Sequence, residues 1–212
     1  MVRKDIDSFL KTIPQNVTLV AATKYVDAND LRELLKHGIN NFGENRTDNF
    51  LEKYYELRNE KVTWHFIGHL QRNKALDVID KIDYLHSLDS LKLAELIDKN
   101  RTSPLKVFVE VSINLEESKN GVPYFELEDF LRELIKYKNI ELVGLMMMTV
   151  RASSNDEKDN QFKRLNVLRK EMEKKLNISI PYLSMGMSED YLEAIKEGAT
   201  HIRLGRILFD LI

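Results

Sequence analysis

Lys24 follows directly on the apolar, β-branched run Val17–Thr23, and the two-residue period of a strand puts it on the same face as Val20 and Ala22. A primary amine at the end of a strand, ringed by small side chains, is suited to attack an aldehyde, because desolvation disfavours the ammonium and frees the lone pair. An ordinary loop lysine would look the same in sequence. A second group is Ser184-Met185-Gly186-Met187-Ser188, which leads into the amphipathic stretch Glu189–Glu197. Its glycine permits close backbone approach, its hydroxyls can donate to phosphate oxygens, and the start of a helix offers free N–H groups. Equally, Ser188 has the type and place of a plain helix cap, and the acidic pair Glu189 and Asp190 suits a bare helix better than one holding an anion. In the third group, Thr200–Arg206, Ile202 and Leu204 alternate with His201, Arg203 and Gly205. If the aliphatic pair packs outward, Arg203 points inward, where a guanidinium needs an acceptor: a ligand nitrogen, a phosphate, or a structural carboxylate such as Glu110.

The elements that must position these groups are short apolar runs at Val17–Thr23, Ile39–Phe42, Val62–Ile67, Tyr84–Ser87, Leu105–Val111, Leu142–Met147, Tyr182–Ser184 and Thr200–Leu204, which read as buried parallel strands. Helical patterns lie between them at Ala28–His37, Glu44–Leu57, Asn73–Asp80, Leu91–Asn100, Leu127–Tyr137, Glu157–Leu176 and Glu189–Glu197. Start signals stand at Asp89/Ser90 and Ser188, and stop signals at Gly38 and Gly198. This alternation predicts an α/β protein with a closed (β/α)8 TIM barrel, although a doubly wound open sheet shares the local pattern. In a barrel, chemistry collects at the carboxyl ends of the strands, where all three groups fall. No linker or low-complexity tract interrupts the pattern, so residues 1–212 are expected to form a single domain, with the polar stretch Arg151–Asn160 a loop at the rim.

Composition narrows the chemistry further. With no Cys, disulfides, thiolate metal sites and cysteine nucleophiles are excluded, which fits a reducing compartment. The 32 basic and 34 acidic residues give a net charge of -2, which offers no general basic field for nucleic acid. No secretory signal and no membrane-length apolar run is present, so the expected location is cytoplasmic, without a membrane partner. His65 and His69 are four apart, but His65 sits in a strand run, so the one-face helix geometry of a zinc site is not available and no metal is expected. Met146, Met147 and Met148 read as packing, and glycine-rich nucleotide motifs are absent.

Taken in order, Ala21-Ala22-Thr23-Lys24, Phe42-Gly43-Glu44-Asn45-Arg46, Trp64–Lys74, Glu116–Gly121, Gly144-Leu145-Met146, Leu183–Ser188 and Arg203-Leu204-Gly205 resemble the pyridoxal-phosphate homeostasis protein family, over nearly the whole chain. That resemblance implies the barrel of alanine racemase's N-terminal domain. It implies that Lys24 holds pyridoxal 5'-phosphate (PLP) as an internal aldimine and that Arg203 faces the pyridine nitrogen. Ser184, the backbone of Gly186 and Ser188, and Gly205 and Arg206 would surround the phosphate. Asn45 would help orient the cofactor, with His65 and Met146 as neighbours, and Lys119 resembles a second lysine in transient contact with it. An arginine opposite the ring nitrogen makes a poorer electron sink than an acid, which favours holding the cofactor over carbanion chemistry.

Some positions depart from the family pattern. Val26 stands where many relatives have a second lysine, Arg206 where many have threonine, and His69 where many have proline. The chain closes on Phe209–Ile212 without the usual Phe-Gly, and no racemase-like second domain follows. Two-base racemisation needs an acid/base on each face, so the expected function is a monomeric, non-enzymatic PLP carrier in vitamin B6 homeostasis, delivering PLP to apo-enzymes. The alternative is a small PLP-dependent amino-acid racemase or Schiff-base lyase, and a third reading makes the barrel an interaction scaffold.

Overall fold

A computed structural model describes residues 1–114, 120–149 and 154–210; Lys119 and Arg151 lie outside that set. Among these described residues nine strands form: β1 (Thr18–Ala22), β2 (Asn41–Glu44), β3 (Thr63–Phe66), β4 (Tyr84–Leu88), β5 (Leu105–Ser112), β6 (Val122–Pro123), β7 (Ile140–Met146), β8 (Tyr182–Ser184) and β9 (His201–Leu204). All pair in parallel in the order β4-β3-β2-β1-β9-β8-β7-β5, and the additional β4–β5 pairing closes the sheet into a barrel. The two-residue β6 adds to the end of β5 outside the circuit. Around the barrel run α2 (Ala28–Lys36), α3 (Thr47–Glu56), α4 (Arg72–Val78), α5 (Leu91–Asn100), α6 (Leu127–Leu134), α7 (Asn155–Leu176) and α8 (Tyr191–Lys196), preceded by the short α1 (Ile6–Leu10). The closed barrel, not the open sheet, is therefore the fold. Among the described residues, no helix is long and apolar enough to cross a membrane.

Every expected strand run falls on a barrel strand, but several boundaries move: β7 starts two residues before the run Leu142–Met147, the expected helix Glu44–Leu57 starts only at Thr47, and two further shifts have a visible cause. β2 begins and ends two residues later than the run Ile39–Phe42, because the strand continues through Gly43 and Glu44, residue types that normally punctuate strands. Gly43 is tightly enclosed: a Cβ there would lie 2.9 Å from Val20 Cγ1 and 3.0 Å from Ile67 Cδ1. Glu44 is fully buried and accepts from Lys53 Nζ and Thr23 Oγ1. The second change is at the rim stretch Arg151–Asn160. From Asn155 onward it is helix, because Ser154 and Glu157 form a reciprocal capping box that starts α7 earlier than apolar spacing suggests.

Two cores result from strand alternation. Residues such as Phe42, Leu85, Val107, Ile202 and Leu204 point outward and pack under the helices with Leu31, Phe50, Leu131 and Phe162. The inside of the barrel is unusual. Branched aliphatics ordinarily dominate there, but here rings do: His65 stacks on Tyr84 with centroids 4.6 Å apart, His86 on Phe108 at 4.3 Å, and His201 meets Phe108 and Tyr182 edge-on at 5.1 Å.

The buried Glu44–Lys53 pair also fixes the chain entering the β1 loop, since Lys53 Nζ donates to the Thr23 carbonyl at 2.6 Å. Removing one partner of a buried pair leaves an uncompensated charge. Lys53→Met is expected to lower the unfolding free energy by about 3–5 kcal/mol in urea titrations, with part recovered in the Glu44→Gln/Lys53→Met double variant.

Candidate functional site

The site is organised by the register between the first and last strands. Val20 pairs with Arg203 and Ala21 with Leu204, so the segments leaving β1 and β9 emerge side by side at the carboxyl end of the barrel. There they enclose a cavity of about 460 Å³, within the ~300–1,000 Å³ range of small-molecule sites. Lys24, Tyr25 and Val26 line it from the β1 loop, Met148 and Thr149 from beyond β7, Met187 to Asp190 from the turn after β8, and Arg203, Gly205, Arg206 and Phe209 from β9 and beyond. Lys24, Ser188, Arg203, Gly205 and Arg206, singled out from sequence, thus meet at one cavity. Lys24 differs from expectation in its enclosure: it is exposed, and its Nζ lies 4.5 Å from the centroid of the equally exposed Tyr25 ring instead of being ringed by small side chains.

Arg203 forms the floor and is only 5% exposed. Its Nη2 donates to the Met147 carbonyl at 2.9 Å and its Nη1 to Ser184 Oγ at 2.6 Å. Glu110, the carboxylate weighed as its partner, acts on it through charge alone. Burial pulls the Arg203 pKa down to about 10, opposed by the charges of Glu110 and Asp190, so it stays protonated at neutral pH.

Below Arg203 the contacts continue as a buried chain. Ser184 Oγ lies 2.7 Å from His86 Nδ1, His86 Nε2 lies 2.9 Å from His65 Nδ1, and His65 Nε2 lies 3.0 Å from Asn41 Oδ1. Both ends are fixed in kind, since a guanidinium only donates and an amide oxygen only accepts. Burial keeps both imidazoles neutral, with His65 lowered to about 3 and His86 lowered well below its ordinary value. The links therefore run one way: Arg203 donates to Ser184, Ser184 to His86, His86 to His65, and His65 to Asn41.

The Ser-Gly turn is built differently from a helix cap. The α8 N-cap is Asp190, and Ser188 Oγ instead accepts from the Gly205 amide at 3.3 Å, tying the β8 turn to the β9 turn. The Asp190 carboxylate accepts from Met187 N at 2.6 Å and Thr149 Oγ1 at 2.7 Å, so it holds the loops together. Glu189 pairs with Arg206. Gly186 has φ 92°, a conformation L side chains rarely adopt, and a Cβ there would lie 2.6 Å from the Ala194 Cβ.

A family model described as alanine racemase, N-terminal domain, matches residues 2–211. Over 194 residues the chain is 37% identical to the pyridoxal phosphate homeostasis protein of Aquifex aeolicus, covering 90% of this chain and 85% of that protein. Over 204 residues it is 37% identical to that of Synechocystis, covering 94% of each. The chain belongs to the pyridoxal phosphate homeostasis protein family. Among solved structures it is similar to PipY of Synechococcus elongatus: without PLP the TM-score is 0.94 at 31% identity, covering 99% of this chain and 100% of that one. With PLP bound to PipY the TM-score is 0.90 at 31% identity, covering 96% and 99%.

Against the site expected for this family, some residues lie away from the cavity wall. Ser184 is fully buried beneath Arg203 and engaged in the interior chain, and His65 is its next-but-one member. Met146 packs inside the barrel on Phe108, and it is Met148, two residues on along the same face, that lines the cavity. Gly186 and Asn45 are also absent from the lining, and the buried Asn45 Oδ1 has no hydrogen-bond partner among the described residues. Sequence reasoning missed Tyr25, Met187, Lys158 and the organising role of Asp190. Period-two alternation would have found Met148; nothing in the sequence marks Lys158, which reaches the cavity from α7.

The three interior histidines predict an acid sensitivity. His201 is lowered to about 4 by burial and the nearby Arg203 charge, and His65 to about 3. In the unfolded chain they take up protons near pH ~6.5, which the folded state does not. Stability is therefore full above ~6.5 and falls as the pH drops toward 4, by up to ~1.4 kcal/mol per pH unit for each histidine. Urea titrations between pH 7 and pH 4 should show this slope, and His86→Gln should reduce it.

Proposed function

We propose that this protein binds PLP in the β1/β9 cavity, with Lys24 as the amine that engages its aldehyde, and that it holds and releases the cofactor instead of turning over amino acids. The observation that carries the reading is the meeting of the Lys24 amine, the Arg203 guanidinium, the Ser188 hydroxyl and the Gly205 turn around one cavity of suitable size. The donor set fits the cofactor: a primary amine for a carbonyl and cationic or N–H groups for a phosphate and a ring nitrogen. Gly205 adds to the fit, because a Cβ there would come within 3.3 Å of the Ala22 carbonyl and crowd the wall between Lys24 and Ser188. When bound, PLP supplies an aldehyde that condenses reversibly with primary amines and a ring that can draw electrons.

The remaining roles belong to the chain. Lys24 presents its amine from an open loop, anchored one residue earlier by the Lys53 contact to Thr23 O. Arg203 donates hydrogen bonds and keeps its proton, which leaves the ring a weaker electron sink than an acidic partner would. Ser188 and Gly205, already linked, bring the two turns together as a cradle for the phosphate, with Arg206 at its edge. The names of the relatives favour a holding role, and an exposed amine fits exchange with the surroundings, including transfer to apo-enzymes.

Adding PLP should produce visible absorbance, and borohydride should then fix one cofactor mass on the Lys24 peptide. Lys24→Ala should lose both. Absorbance without a Lys24 adduct would overturn the assignment. Multiple turnovers of an amino acid by the wild type, lost in Lys24→Ala, would establish the racemase or lyase alternative.

A further inference from the structure

The cofactor reading uses Lys24, Arg203, Ser188, Gly205 and Arg206, and leaves one cationic side chain of the cavity without a task. Lys158 lies in the first turn of α7, lines the cavity and is half-buried. The cations around it are matched: Lys196 pairs with Asp159 at 2.8 Å and Arg206 with Glu189. Among the described residues the Lys158 ammonium has neither an ion pair nor a hydrogen bond. That position is unfavourable on two counts, since partial burial strips water from the charge and the start of a helix carries the positive end of the peptide dipole.

The helix that carries Lys158 is held firmly. The capping box fixes its start, Asn166 Nδ2 donates to the Glu197 carbonyl at 2.9 Å, and Arg169 Nη1 donates to the Ile180 carbonyl at 3.1 Å. The cavity's carboxylates do not answer the charge, because Glu189 is paired with Arg206 and Asp190 is engaged by Met187 N and Thr149 Oγ1. Among the described residues, Lys24 from the β1 loop, Arg203 from the floor and Lys158 from the helical wall thus face one space without contact ion pairs of their own. Such an arrangement suits a ligand with more than one negative charge.

We propose that Lys158 is a ligand-binding residue of this cavity and that its ammonium recognises the phosphate group of the bound aldehyde, setting the preference for the phosphorylated form. This rests on the cavity being the PLP site. The test titrates PLP, and pyridoxal, which lacks the phosphate, into the full-length wild type, Lys158→Met and Lys158→Arg, with folding checked by thermal melting. Inorganic phosphate is tested separately for its effect on Tm. Lys158→Met should weaken PLP binding about tenfold, the size of one charge-assisted contact, and leave pyridoxal within about twofold. Lys158→Arg should retain most of the affinity, and the Lys158→Met deficit should shrink at high salt. Unchanged PLP affinity in Lys158→Met, or a parallel loss for pyridoxal, overturns the proposal. So does a borohydride adduct on Lys158 in the wild type, which would make it an amine station and not an anion contact. If the wild type fails to bind PLP while phosphate raises Tm and Lys158→Met abolishes that rise, the cofactor reading falls and the anion role of Lys158 stands. If phosphate has no effect either, both fall.

Discussion

A charged guanidinium sealed into the throat of the barrel is the constraint to which the interior answers. Arg203 carries its proton at 5% exposure, so its N–H groups need acceptors inside the protein. The Met147 carbonyl is one; Ser184 is the other, and its own hydroxyl donates a hydrogen bond to His86. His86 in turn needs an acceptor, found in His65, and His65 ends on Asn41. A filling of valine, isoleucine and leucine could not provide this column. The imidazoles of the column stay neutral because they are buried, with the Arg203 charge adding a smaller push at His86, and the direction is set by the ends: a guanidinium that only donates and an amide oxygen that only accepts.

The mouth above is held by a different set of polar contacts, each joining neighbouring loops. Lys53 and Glu44 secure the carbonyl of Thr23, Asp190 joins the segments beyond β7 and β8, and Ser188 joins those beyond β8 and β9. Loop side chains become a site only when their backbones are fixed relative to one another, and here buried or half-buried acceptors perform that work. The β1–β9 register supplies the rest by bringing the first and last strands of the chain together.

The fold was legible because buried parallel strands and amphipathic helices leave distinct periods in the sequence, and the eight barrel strands all coincide with apolar runs. Reading failed where a residue's usual preference was overruled by a tertiary partner. Gly43 and Glu44 belong to a strand because Val20, Ile67 and Lys53 receive them, and Ser188 is not the helix cap because α8 begins three residues on with Asp190 as its N-cap, which leaves the Ser188 hydroxyl to accept from the Gly205 amide. The inward direction of Arg203 followed from the alternation of Ile202 and Leu204. Its true acceptors did not, since Ser184 and Met147 meet it only through the pairing of β7, β8 and β9. Lys158 was invisible for a related reason: a lysine on an outer helix carries no mark of the cavity it faces.

The openness of Lys24 bears on how the protein can discriminate at all. In the role proposed for Lys24, an amine that stands in solvent over a tyrosine ring would meet every reactive carbonyl in its surroundings, sugars and small aldehydes included. Its chemistry cannot sort them, because condensation with an amine is common to all. Selection must lie in residence time: carbonyl compounds that gain nothing from the walls and floor depart quickly, and only one that engages them lingers.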